Sequence, residues 1–177
     1  PAYVADMVTL LARLDADELH WVGTSMGGLI GLGLAALPQS PIRKLVLNDV
    51  GPTIEAAALQ RIGAYLGQPL RWASVDEAAD YLWSISASFG PHSREQWLAL
   101  TRPMLKPEGD GFKLHYDPAI AAPLRAVTPE MAKAGEAMLW ASYEALRCPT
   151  LLLRGADSDL LSVATAQAMT QRGPKAR

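Results

Sequence analysis

Apolar residues along the chain fall into two kinds of run: short unbroken blocks and longer stretches with helical spacing. Leu19 to Thr24 (LHWVGT) is a block, apolar and β-branched, set off from the preceding segment by Asp15-Ala16-Asp17 and followed by a glycine-rich stretch, as in a buried strand. Leu45-Val46-Leu47 and Thr150 to Leu153 (TLLL) are two more. Ahead of the first block, Tyr3 to Leu14 places Val4, Met7, Val8, Leu11 and Leu14 on one face of a predicted helix. Behind it, Met26 to Leu37 predicts a second helix, which Pro38 ends. Gly27, Gly31 and Ala35 recur every four residues along that helix and would let it lie close against a sheet. Strand, helix, strand in this order predicts a βαβ unit with parallel strands.

From Pro52 to about Arg147 the pattern changes. Apolar residues recur at helical spacing over Ile54 to Leu66, Val75 to Phe89 and Glu95 to Leu105. Breaks fall at Gly67-Gln68-Pro69, Gly90-Pro91 and Lys106-Pro107-Glu108-Gly109-Asp110-Gly111. Ten of the twelve aromatic residues lie in this stretch; the core of a small helical subdomain accounts for most of them, which leaves a few to line a pocket. After it the third block leads through Arg154 to Leu161 into a helix over Ser162 to Gln171, with Ser162 as its N-cap. The expected organisation is a core in two pieces, residues 1–51 and 148–177, with an insertion at 52–147.

Composition narrows the function classes. Half of the 177 residues are hydrophobic and 19% are charged, enough for a folded domain with a subdomain. A net charge of −2 gives no reason to expect nucleic acid as a partner. The longest apolar run, Gly27 to Leu37, is too short and too glycine-rich to span a bilayer. A single cysteine, Cys148, excludes an internal disulfide and fits a reducing compartment, so a cytoplasmic location is expected. Cys148 itself reads as a small buried filler. No His, Cys and carboxylate cluster has metal-ligand spacing, and no glycine-rich phosphate loop follows a strand, so no cofactor is expected.

The chemistry concentrates at the end of the first block, in Gly23-Thr24-Ser25-Met26-Gly27. G-x-S-x-G between a strand and a helix holds a serine on a sharp turn with its hydroxyl clear of the sheet. Such a turn brings the residues two before and two after the serine together, where a hydrogen side chain fits best. The N–H of Met26 would face a developing oxyanion. With this motif, LHWVGTSMGG, RKLVLNDVGP and CPTLLLRGADSDLL resemble, in order, segments of the α/β-hydrolase superfamily, and more narrowly its bacterial members with a helical cap. The resemblance runs from about Tyr3 to Met169 and is least specific over the insertion. It implies a parallel-sheet α/β-hydrolase core, here incomplete, with an inserted helical cap closing over the site.

The resemblance also implies a Ser, acid, His order, with the acid in a turn after a strand. Asp157 and Asp159 both occupy that turn, and relatives with a similar RGxxSD stretch favour Asp159. Asp49, at the end of the second strand, is a third candidate, although it suits a turn before Gly51-Pro52. No histidine follows Asp159. His20 precedes Ser25 on its own strand, His92 reads as a solvated turn residue, and His115 falls within the insertion. The base is expected after one further strand beyond Arg177, so the chain reads as an internal piece of a longer hydrolase, inactive alone. The expected activity is serine-dependent hydrolysis of a small, largely apolar ester or lactone, with no cofactor and with a small molecule as partner. A carbon–carbon hydrolase or enol-lactonase on the same fold, and a non-catalytic small-molecule receptor, are the alternatives.

Overall fold

A computed structural model describes residues 2–177 and, at 124 and 125, the backbone alone. In chain order its helices are α1 (Ala2–Leu11), α2 (Met26–Ala35), α3 (Ala56–Tyr65), α4 (Val75–Ile85), α5 (Arg94–Thr101), α6 (Ala122–Arg125), α7 (Pro129–Glu144) and α8 (Val163–Gln171). The strands are β1 (Leu19–Thr24), β2 (Ile42–Asn48), β3 (Arg71–Trp72), β4 (Leu105–Glu108), β5 (Gly111–Leu114) and β6 (Thr150–Leu153). Two compact units result: residues 1–59 with 127–177, and residues 60–126.

The first unit is built on a parallel sheet in the order β1-β2-β6. These strands are the three apolar blocks of the sequence, and β2 starts three residues earlier than its Leu45-Val46-Leu47 block. β2 is central, and Leu45 and Leu47, two apart on one face, are among its buried side chains. They join Leu32 and Leu34 of α2, Leu161 and Met169 in one core cluster. Burying each such side chain contributes about 2 kcal/mol. Val4, Met7 and Leu11 of α1 pack on this cluster, whereas Val8 and Leu14 of the expected face stay exposed.

Small residues set the distance between α2 and the sheet. A Cβ added to Gly31 would lie 2.3 Å from the Trp21 indole, and one on Gly28 would lie 2.4 Å from Val50. The Trp21 Nε1–H donates to the Gly27 carbonyl at 2.9 Å, so the ring closes the gap between β1 and the helix above it.

The second unit is not wholly helical. It carries an antiparallel sheet in the order β3-β5-β4, which helical spacing did not foretell. The glycine- and proline-rich break at 106–111 is a hairpin, with Gly109 at φ 59° in its tight turn. Pro107 cannot donate to a ladder, and it sits on the edge strand β4, where none is required.

The compact second unit is narrower than the 52–147 expected of the insertion. Helix α7 belongs to the first unit because Tyr143 is fully buried in that core. Its hydroxyl donates to the Met169 carbonyl at 2.6 Å and accepts the Ala176 N–H at 3.3 Å, and burial raises its pKa. Tyr143→Phe leaves both backbone groups without this partner. A loss of about 1–3 kcal/mol in chemical denaturation is expected, with secondary structure by circular dichroism unchanged.

Candidate active site

The three parallel strands end level. Thr24 pairs with Asn48 and Asn48 with Leu153, so Ser25, Asp49 and Arg154 leave the sheet side by side at its carboxyl edge. In parallel α/β sheets this edge is where ligands bind. Ser25 keeps a last ladder bond, its N–H donating to the Asn48 carbonyl at 3.1 Å, and the Asn48 side-chain amide donates to Thr24 Oγ1 at 3.0 Å. The strand ends are therefore tied together where the serine emerges.

Ser25 stands at φ 50° and ψ −123°, between β1 and the first residue of α2. A non-glycine residue there stores roughly 1–3 kcal/mol of strain. Its carbonyl accepts the N–H groups of Gly28 and Leu29, at 2.8 and 3.2 Å, which starts the helix immediately. Its side chain makes no capping bond and is exposed. Met26, also exposed, begins the helix, where an N–H has no acceptor within the helix. Ser25 and Met26 thus lie together at one corner.

The glycines at this corner differ from the sequence expectation in one respect. A Cβ on Gly23 would lie 2.4 Å from the Gly27 carbonyl oxygen and 2.5 Å from the Gly28 nitrogen, both backbone atoms that cannot swing aside. A Cβ on Gly27 would meet nothing within 4 Å. The approach is close, but of the two motif glycines only Gly23 must be glycine for steric reasons; the crowded glycine after the serine is Gly28.

The acid candidates separate by environment. Asp157 and Asp159 both lie, exposed, in the turn between β6 and α8. Asp49, at φ 56°, is bound into the same turn: its Oδ1 accepts the Gly155 N–H at 2.9 Å and its Oδ2 accepts the Ser158 hydroxyl at 2.8 Å. Arg154 and Ser158, which sequence reasoning passed over, turn out to be the most heavily hydrogen-bonded side chains of this segment. Their signal is the arginine and serine of the RGxxSD stretch itself.

The histidines are elsewhere. His20 lies on β1 five residues before Ser25, about 16 Å away at 3.3 Å per residue. His92 and His115 belong to the second unit; His92 Nδ1 lies 2.9 Å from the Gly90 carbonyl and its ring tilts against Trp97, while His115 is exposed. Among the described residues, the unit holding Ser25 and the three aspartates has no other histidine.

Two open clefts, of about 550 and 690 Å³, lie around the opposite ends of β2 and β6, and neither is lined by Ser25, Asp49 or Asp159. Both are lined in part by Cys148, which is half-buried and whose thiol burial pushes above its usual pKa. Such a thiol is a packing group at neutral pH. Among the described residues no cluster of three or more His, Cys, Asp or Glu could hold a metal ion, and no helix is long and apolar enough to cross a membrane.

A parallel sheet with a strained serine at its carboxyl edge, turning straight into a helix, defines a class. The chain belongs to the alpha/beta hydrolase fold family, whose model matches residues 1–176. It is 55% identical to a 3-hydroxybutyrate-oligomer hydrolase of Cupriavidus necator, in a match covering 98% of this chain and 60% of that protein. The chain therefore spans about three fifths of this relative's length. An alpha/beta hydrolase from Novosphingobium aromaticivorans superposes with a TM-score of 0.83 at 32% identity, covering 97% of this chain and 60% of that one. A protein from Rickettsia typhi does so with a TM-score of 0.82 at 31% identity, covering 97% and 57%.

The glycine geometry gives a paired test. Gly23→Ala drives a methyl into backbone and should lower stability by about 3 kcal/mol or prevent folding. Gly27→Ala fills open space in a helix and should be neutral or stabilising by up to about 1 kcal/mol. Thermal melts of the two variants read the difference.

Proposed function

We propose that these 177 residues form part of a serine hydrolase that cleaves esters, with 3-hydroxybutyrate oligomers as the substrate class. The observation that carries this reading is Ser25, held at φ 50° on the corner between β1 and α2. The substrate class rests on the relative at 55% identity, whose name specifies such oligomers. These are small molecules joined by ester bonds, and no cofactor is required to break them.

The steps follow from where the groups stand. The Ser25 Oγ attacks the ester carbonyl carbon as a base takes its proton, forming a tetrahedral intermediate. The carbonyl oxygen becomes an oxyanion, and the Met26 N–H donates to it. The intermediate collapses as the base returns the proton to the leaving alcohol. Water, deprotonated by the same base, then attacks the acyl-serine; the acyl–Oγ bond breaks, the base returns the proton to Ser25, and the water oxygen ends in the released acid. Asp159 orients the base and stabilises its protonated form. The base is assigned to a histidine that follows the acid in the Ser, acid, His order; His20 is too far along β1 to reach Ser25. The insertion is assigned as the helical cap that the family resemblance implies, and the single cysteine keeps the cytoplasm as the proposed location.

In the full-length protein, Ser25 is expected to be the residue that a fluorophosphonate probe labels, and Ser25→Ala should abolish both labelling and release of 3-hydroxybutyrate from its dimer and trimer. Asp159→Asn should cut turnover by about three to four powers of ten, and Asp157→Asn by less than about threefold. A well-folded protein without turnover, or one labelled elsewhere, would overturn the enzyme reading in favour of a receptor. Residues 1–177 alone should cleave p-nitrophenyl esters no faster than their Ser25→Ala form.

A further inference from the structure

We propose that Asp49 and Arg154 are positioning residues, which hold the turn carrying Asp159 at a fixed place beside the serine corner. This inference rests on the reading of Ser25 and Asp159 given above. Asp49 leaves β2 and Arg154 leaves β6 at paired positions of the ladder, and the Asp49 N–H bonds the Leu153 carbonyl at 2.8 Å. From there the two side chains grip the turn from opposite chemical sides.

The Asp49 carboxylate collects donors, one on each oxygen: the Gly155 N–H and the Ser158 hydroxyl. The Ser158 Oγ, its own proton given to Asp49, accepts the N–H groups of Leu160 and Leu161 at 3.3 and 3.1 Å. The Arg154 guanidinium collects acceptors. Its Nε–H donates to the Leu161 carbonyl at 2.8 Å, and its Nη1 to the Gly155 and Ala156 carbonyls at 2.8 and 3.0 Å. Its Nη2 donates to the Ser158 carbonyl at 3.1 Å. One planar cation thus satisfies four carbonyls that a tight turn points inward, a geometry the fixed fork of arginine suits and a lysine does not. Asp159 sits between Ser158, held by both Asp49 and Arg154, and Leu161, which is fully buried.

This arrangement also separates the roles of two aspartates. Both oxygens of Asp49 are engaged by the turn, and Asp159 follows one residue beyond the anchored serine. Asp49 acts through Asp159 rather than on the base. Displacements near 1 Å in a catalytic group cost roughly a hundredfold in rate, so a slackened turn would register strongly in turnover.

The test uses the full-length protein, with active sites counted by fluorophosphonate titration so that partial unfolding does not enter kcat. Ser158→Ala and Asp49→Asn should each lower kcat per titrated site by about 10- to 100-fold, with KM on the 3-hydroxybutyrate dimer changed less than about threefold. Because they share one hydrogen bond, the double variant should be little worse than the poorer single one. Ser158→Thr, which keeps the hydroxyl, should recover most of the loss, and Arg154→Lys should not reproduce the native rate. Ser158→Ala changes no charge, yet the acid limb of its kcat/KM profile should move to lower pH, since a poorly oriented carboxylate stabilises the protonated base less. A lowered melting temperature with native kcat per site and an unmoved pH limb would reduce the network to ordinary stability and overturn the inference. Native rates in Ser158→Ala and Asp49→Asn beside a crippled Asp159→Asn would overturn the inference alone. A harmless Asp159→Asn would sink the reading of the acid itself. A loss in Asp49→Asn exceeding that in Asp159→Asn would make Asp49 the acid and overturn both assignments.

Discussion

The chain must reverse from β1 into α2 at a single residue, and the rest of the structure accommodates that demand. The reversal presses the Gly27 carbonyl and the Gly28 nitrogen against Gly23, forces Ser25 to a positive φ, and brings α2 down onto the sheet. The helix can approach so closely only because Gly28 and Gly31 leave room for Val50 and Trp21. Strain at Ser25 of roughly 1–3 kcal/mol is held by its surroundings: a ladder bond to Asn48, two helical bonds to its carbonyl, and an indole bonded to Gly27. Removing the strain would mean rebuilding the layer between β1 and α2.

What the sequence made legible is what local physics controls. The three apolar blocks are strands, but β1 and β6 are less buried than their composition predicts, with Val22, Leu151 and Leu153 exposed; the serine corner shows itself because its steric demands fall on neighbouring residues. Long-range partnerships were hidden. Nothing near Asp49 in sequence reveals that its carboxylate meets Gly155, 106 residues further on. Tyr143 looked like one more aromatic of the insertion, yet its hydroxyl serves the chain around Met169 and Ala176, which draws α7 into the core. The hairpin of β4 and β5 was masked for another reason: its glycines and proline carry the same signature as a simple break between helices. At the corner itself the motif overstated the need for Gly27, since a pattern of residue types does not say which hydrogen faces backbone and which faces open space.

The site unites residues by strand order rather than by chain order. Because β2 lies between β1 and β6, residues that follow three separate strands emerge in a row. Asp49 stands in the middle of that row, and its carboxylate ties the end of β2 to the turn after β6. A residue between two functional positions is well placed to fix their separation without taking part in either.

The long reach from Asp49 to Gly155 bears on how the protein comes together in time. Pairing Thr24 with Asn48 closes a loop of 24 residues, whereas the bond from Asp49 to Gly155 closes one of 106. The entropy of closure grows with the logarithm of loop length, so the longer one costs about 1.3 kcal/mol more. On a ribosome, β1, α2 and β2 can collapse as a unit while the turn after β6 is still unsynthesised. The serine corner is then formed early, and the turn docks onto a finished edge only after the intervening residues have been made. A strained and exposed serine would stand in place well before the turn that docks beside it, and the carboxyl edge would be completed at a late stage of folding.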